Sequence, residues 1–243
     1  SNGFPLSNII YPEKKFGKFK INKIPYKDGS KVDIISTRMA FMTDMKPVNS
    51  SLDKDYDFYE LVERNEGRWM STFPIEIFSQ IYPSLIFKGN VLIAGLGLGV
   101  VIDMMKNNKN INSITCIELE KDIIETIAPL IETSKTMFIR EDIFKWLKEC
   151  EKNVYDFIYL DIYRGDNEGT YYDTVLPLKK LAIKTLRKNG KIMTWMEEIM
   201  IGQVLLSIID TFLMHNIRKD FIEQFAKIIE TEKIQYSILN ESE

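Results

Sequence analysis

The chain has 243 residues, 45% hydrophobic and 28% charged, with a formal net charge of −3. That balance fits a globular domain with a sizeable core, and it excludes a nucleic-acid binder that depends on clustered Lys and Arg. No apolar run approaches about 18 residues, which excludes a membrane-spanning helix. One histidine, His215, and two cysteines, Cys116 and Cys150, are too few for a His-rich or Cys-rich metal centre or a disulfide framework.

The first residues, "SNGFPLSNII", lack the charged-then-apolar pattern of a signal peptide, so a reducing cytoplasmic location is expected. The basic run Lys14–Lys20 reads as a solvated strand face. "KFGKFKINKI" and "KVDIISTRMAFMTD" alternate apolar and polar residues around the turn signal "YKDG", which predicts a small antiparallel sheet over residues 16–44. "PVNSSLDKD" is a polar loop. "YDFYELVERN" and "PIEIFSQIY" read as short helices, with Pro74 in a favourable first-turn position. This divides the chain into an N-terminal β-region over 1–50, a helical linker or cap over 51–89 and a nucleotide-binding domain over 90–243.

From residue 90 strands and helices alternate. Strands are predicted over 90–95, 113–119, 136–140, 154–161 and 190–196, separated by the helices "GVVIDMMKN", "EKDIIETIAPLI", "DIFKWLKEC" and "YYDTVLPLKKLAIKTLRKN". Single helices between apolar strands imply right-handed crossovers and a parallel sheet covered on both faces. The fold class is therefore α/β, a Rossmann-like doubly wound, mostly parallel sheet with a small antiparallel N-terminal region. Gly190 is placed as the cap of the last of these helices. The tail is read as helices over 201–214 and 219–231 and a final strand "KIQYSILN".

The first strand runs into "AGLGLGV", which sets Gly95, Gly97 and Gly99 at alternate positions. A glycine turn between a strand and a helix lets backbone N–H groups approach a ligand closely. The dinucleotide pattern G-x-G-x-x-G or G-x-G-x-x-A would need a small residue where Val100 stands, and no Gly-Lys-Ser/Thr phosphate loop follows. NAD and ATP therefore fit poorly. At the end of the second strand, Glu118 can accept hydrogen bonds from both hydroxyls of a ribose. After the third, Asp142 can serve an adenine amino group or cap the next helix. Asp161 ends the fourth strand, and open α/β sheets bind ligands at the carboxyl ends of their strands.

In order and spacing, "VLIAGLGLG", "CIELE", "REDIFKWL", "YDFIYLDIY" and "GKIMTW" resemble the motifs of class I S-adenosylmethionine-dependent methyltransferases, with the flavour of the spermidine-synthase-like branch. The resemblance covers about residues 85–196. It implies the class I methyltransferase fold, with S-adenosylmethionine or its decarboxylated form as cofactor. It implies that Gly95, Gly97 and Gly99 wrap the methionine part, that Glu118 with Leu119 beside it holds the ribose, and that Asp142 and Ile143 meet the adenine. Asp161 would face the cofactor's amino group or the acceptor. The loop departs from that branch in carrying Leu where spermidine synthases carry an acid, and "DIYRGD" spaces its two acids differently.

The expected reaction is in-line displacement on a sulfonium, in which the protein mainly aligns donor and acceptor. Asp161, Tyr163 and Asp166 are the catalytic candidates, with Tyr171, Tyr172, Trp195, Glu197 and Glu198 nearby in sequence. Acids and aromatics together suit a small amine acceptor, whereas Arg164 would suit an anionic one. "RMAFMTDMKPV" and "NEGRWMSTFP", with Trp69, are candidate covers for the pocket. Methyl transfer to a small molecule, aminopropyl transfer and a non-catalytic nucleoside-binding module remain the three readings. Self-association through the N-terminal sheet or the C-terminal helices is compatible with each.

Overall fold

The alternation of strand and helix after residue 90 is realised in the computed structural model, which describes residues 7–35 and 46–215. Strands β7 (Gly89–Ala94), β8 (Ile111–Glu118), β9 (Thr136–Arg140), β10 (Tyr155–Leu160) and β11 (Leu186–Thr194) form one sheet in the order β11-β10-β7-β8-β9. Every neighbouring pair is parallel. The chain starts at the centre and winds outward first to one side and then to the other. That is the doubly wound order expected of a Rossmann-like sheet, and it leaves a crevice at the carboxyl ends of β7 and β10.

The period of two along the central strands assigns their faces. Val91 and Ile93 of β7, with Phe157 and Tyr159 of β10, enter one buried cluster. Leu92 and Ala94, with Ile158 and Leu160, enter another. The first face is covered by α1 (Pro74–Ile86), α2 (Val100–Met105) and α3 (Lys121–Ile131), which contribute Ile77, Ile102 and Ile127 to its core. The second is covered by α4 (Ile143–Glu149), after which come a short turn, α5 (Glu168–Thr170), and α6 (Leu176–Ala182). Helix α7 (Glu197–His215) follows β11. Among the described residues no helix is long and apolar enough to cross a membrane.

A second, antiparallel sheet joins β1 (Lys15–Phe16), β2 (Phe19–Tyr26), β5 (Tyr56–Glu63) and β6 (Gly67–Ser71) in the order β1-β2-β5-β6, while β3 (Lys31–Ile35) pairs with β4 (Val48–Ser51). Phe19, Ile21, Tyr59, Leu61 and Met70 of this sheet enter the same core as Val91 and Ile93. The N-terminal sheet is thus packed against the parallel one and shares its apolar interior.

Three element assignments made from sequence are corrected; in the first, the expected polar loop "PVNSSLDKD" contains β4, which pairs with β3. Residues 56–65, expected to be helical, form β5. Its residues pair with β2 from Phe19 opposite Glu63 to Tyr26 opposite Tyr56, and Phe58 packs against Tyr26 of that neighbour and against Tyr56 of its own strand. Pairing along a whole strand outweighs the weak helical preference of Glu and Leu. The turn that ends it uses left-handed backbone at Asn65 and Gly67. Gly190, placed as a helix cap, lies inside β11. The preceding helical segment ends at Thr185, and β11 bulges between Leu186, opposite Tyr155, and Lys191, opposite Phe157. Arg187 on this bulge holds Asp156 at 3.1 Å, and Asn189 takes the left-handed backbone. The predicted helix over 219–231, the last strand and most of the methionine-rich stretch lie outside the described residues.

Candidate functional site

A cleft of about 280 Å³ opens where β7, β8 and β10 end. Its floor at one end is the glycine turn. Gly95 donates its N–H to the Ile117 carbonyl at 2.9 Å, and Asp161 donates its own to the Ala94 carbonyl at 2.9 Å, so the turn is tied to both neighbouring strands. Gly95 adopts φ +91°, and a Cβ there would stand 1.9 Å from the Asp161 carbonyl oxygen. Only glycine lets β7 and β10 approach this closely. The turn is also held from above by the N-terminal sheet. The Tyr11 hydroxyl donates to the Leu98 carbonyl at 2.7 Å, and the Leu98 N–H reaches the Met70 sulfur at 3.2 Å.

Glu118 closes this end. It is 8% exposed. One carboxylate oxygen accepts the Leu96 N–H at 2.8 Å and the other accepts the Glu120 N–H at 2.8 Å. Burial pushes its carboxyl above the usual range, against the pull of these two backbone bonds. Each oxygen keeps a lone pair for a further donor. The turn and the acid predicted to meet on one ligand are therefore joined by a hydrogen bond within the cleft wall.

The other residues assigned to the cofactor separate. Gly97 lines the cleft, whereas Gly99 does not: it precedes α2, and a Cβ there would strike Ile131 and Ile127 of α3. Its glycine is required by helix packing. Asp142 caps α4 by accepting the Phe144 N–H at 2.7 Å, and it also lines the cleft. Ile143 is buried beside it, and Leu119 is an exposed residue on the rim.

At the far end stand Asp161, Tyr163 and Trp195, joined by Glu76 and Gln80 of α1. Burial, and secondarily the Glu76 charge, raises the Asp161 carboxyl to about 8. Glu76 accepts hydrogen bonds from the Ser71 N–H and hydroxyl, yet burial still raises it to about 7. Tyr163 donates its hydroxyl to the Trp195 carbonyl at 2.6 Å, and burial pushes its ionisation far above the usual phenol range. It is a wall that positions Trp195 and is unsuited to act as a base. The Trp195 indole N–H in turn donates to the Ser79 hydroxyl of α1 at 3.0 Å.

Several sequence candidates lie elsewhere. Asp166 does not line the cleft. Tyr171 is buried against Val175 and Met200, Tyr172 is exposed, and Glu198 is exposed. Glu197 is buried in a pair with Lys179 at 2.8 Å and bonds to Thr194. Arg164 is committed to the protein: its guanidinium lies 4.3 Å from the Trp69 ring centre and pairs with Glu63. That removes its expected grip on an anionic acceptor and makes it a strut for Trp69, which does line the cleft. Glu76 and Gln80 escaped the sequence reading, although their spacing of four on a helix puts them on one face. Six acids line the cleft (Glu76, Glu118, Glu120, Glu141, Asp142 and Asp161) and no Lys, Arg or His does so among the described residues.

The chain matches no protein-family model and no curated protein sequence. Similar solved structures include a protein of Methanococcus maripaludis assigned as an S-adenosyl-L-methionine-dependent methyltransferase, at 16% identity over 64% of this chain and 75% of that one, with a TM-score of 0.39. A SAM-dependent methyltransferase from Archaeoglobus fulgidus matches at 14% identity over 46% of each chain, TM-score 0.36. Haemonchus contortus phosphoethanolamine N-methyltransferase 1, in complex with phosphoethanolamine and S-adenosylhomocysteine, matches at 14% identity over 48% of this chain and 24% of that one, TM-score 0.36. The match spans about half the length or less of most of the structures found. Likenesses this distant assign neither a family nor a substrate.

Proposed function

We propose that the chain is an S-adenosylmethionine-dependent transferase that moves a methyl group to a small-molecule acceptor. The observation that carries this reading is the convergence of Glu118 and the 95–97 turn, linked by the Leu96 N–H bond, at the carboxyl end of the central strands. The lining supports it. A buried carboxylate at the end of β8 suits a ribose diol, Asp142 and Ile143 stand where an adenine would lie, and an acidic wall suits a cation.

When bound, S-adenosylmethionine supplies a sulfonium methyl carbon already activated for displacement. The residues of this chain have three tasks. Glu118 and the turn hold the nucleoside. The aromatic walls Trp69 and Trp195 exclude water from the far end. Asp161, when ionised, would take a proton from the bound acceptor and so free the lone pair that the displacement needs.

A second reading is favoured by one feature. Among the described residues no basic side chain lines the cleft to pair with the methionine carboxylate, and decarboxylated S-adenosylmethionine, the donor for aminopropyl transfer in the spermidine-synthase-like branch, lacks that group. Calorimetry with S-adenosylmethionine, its decarboxylated form, S-adenosylhomocysteine and NAD separates these readings. Binding of the two carboxylated sulfur nucleosides is expected. A clear preference for the decarboxylated form transfers the proposal to aminopropyl chemistry, and tight NAD binding with no response to the sulfur compounds refutes both.

A further inference from the structure

We infer that Glu76 and Gln80, on the cleft side of α1, form the acceptor subsite opposite Asp161 and select an amine that carries no anionic group. The inference rests on the transferase reading above and names what that reading leaves open. Its starting point is Gln80, which lines the cleft at 1% exposure and whose Oε1 has no hydrogen-bond partner. A buried carbonyl oxygen without a donor is costly, and the cost is removed by a ligand that brings a hydrogen to it.

The surroundings define that ligand. Gln80 Oε1 and the carboxyls of Glu76 and Asp161 are acceptors, and no cationic side chain among the described residues lines the cleft with them. A phosphate or carboxylate on the acceptor would meet only like charge there. A hydroxyl offers one hydrogen to three acceptors, whereas an amine in its ammonium form offers two or three. Trp69 and Trp195 flank the space with aromatic faces, which favour a cation over a neutral group. Burial raises both carboxyls, that of Glu76 against the pull of Ser71 and of the Arg68 charge, and an ammonium between them supplies a charge inside the cleft.

The subsite is pre-positioned. Glu76 is fixed by the Ser71 N–H at 2.8 Å, and the face of α1 is pinned to the end of β11 by the bond from Trp195 to Ser79. The acceptor is therefore read by a helix that lies outside the parallel sheet, while the nucleoside is held by the sheet itself.

Three probes of matched length test this: n-butylamine, n-butanol and butanoate, titrated by saturation-transfer NMR against the protein saturated with S-adenosylhomocysteine. The amine is expected to bind about ten-fold more tightly than the alcohol, and butanoate not to bind. Glu76→Gln keeps the bonds to Ser71 but loses the charge, and should weaken the amine about ten-fold while leaving the alcohol and S-adenosylhomocysteine unchanged. Gln80→Leu should weaken the amine by about five-fold, with the same controls unchanged. Equal affinity for the three probes, or variants that bind the amine as wild type does, overturns the subsite. Failure of S-adenosylhomocysteine to bind refutes the transferase reading instead. The same titration on the unliganded protein then decides the subsite, which is overturned if the amine shows no preference.

Discussion

Glu118 ends β8 and Leu96 lies in the turn after the neighbouring β7, and every polar group at their end of the cleft that is named above has a partner in the protein. At the other end Trp195 meets Ser79 from 116 residues away, and Gln80 Oε1 is buried with none. The proposed nucleoside end is satisfied before any ligand arrives, which keeps its geometry fixed. The proposed acceptor end carries one unmet polar group and two raised carboxyls, so its stability depends on what enters. A fold can thus hold a common cofactor with a rigid local turn and reserve a strained, long-range assembly for the partner that differs from one enzyme to another.

Gly95 is where the two ends touch, and its replacement should have the largest effect. In Gly95→Ala the new Cβ would stand 1.9 Å from the Asp161 carbonyl, and the residue would also need φ +91°. Backbone cannot yield as a side-chain tip can, so a loss of roughly 3 kcal/mol or more is expected. Urea denaturation measures this, and S-adenosylhomocysteine binding should fail in the same variant. A stable Gly95→Ala protein that still binds would show that the ends are independent.

Glu118→Ala separates the ends. It removes the carboxylate from the nucleoside end alone, and calorimetry should show S-adenosylhomocysteine weakened by about 1.5–3 kcal/mol, the range for hydrogen bonds to a charged group. The amine preference on the unliganded protein should persist. Unchanged nucleoside affinity would mean that the ribose is held elsewhere.

The same division explains what could be read from the sequence. Gly95, Gly97 and Glu118 lie at the ends of adjacent strands, so an apolar run, a turn and an acid after the next apolar run were enough to bring them together. Gly99 shared their pattern but owes its identity to Ile127 and Ile131, because a packing glycine and a ligand glycine look alike in sequence. Glu76 and Gln80 were hidden for the opposite reason. An acid and an amide four apart on a helix are ordinary on a solvated face, and only the docking of α1 beside β10 turns that face inward. Arg164 looked like a free cation until Glu63 and Trp69, from a sheet that was itself partly misread as helix, were found against it.

At acid pH Asp161→Asn should give the smallest effect of the three, and it is the one most sensitive to pH. The native carboxyl is raised from 3.8 to about 8, first by burial and then by Glu76. Below the unfolded value both states are protonated and the contribution to stability is fully present. As pH rises the unfolded chain ionises first, and the contribution is lost until the native group also ionises near 8. Asparagine cannot ionise, so the variant escapes this loss. Its melting temperature should rise relative to wild type across the window, by up to about 1 kcal/mol per pH unit in stability, and the difference should level off above it. Glu76, raised to about 7 with the same sign, stays in the variant and leaves it a shallower slope that ends earlier. A difference that does not change with pH would mean that Asp161 is ionised in the native protein throughout. The acceptor end would then already contain its counter-charge.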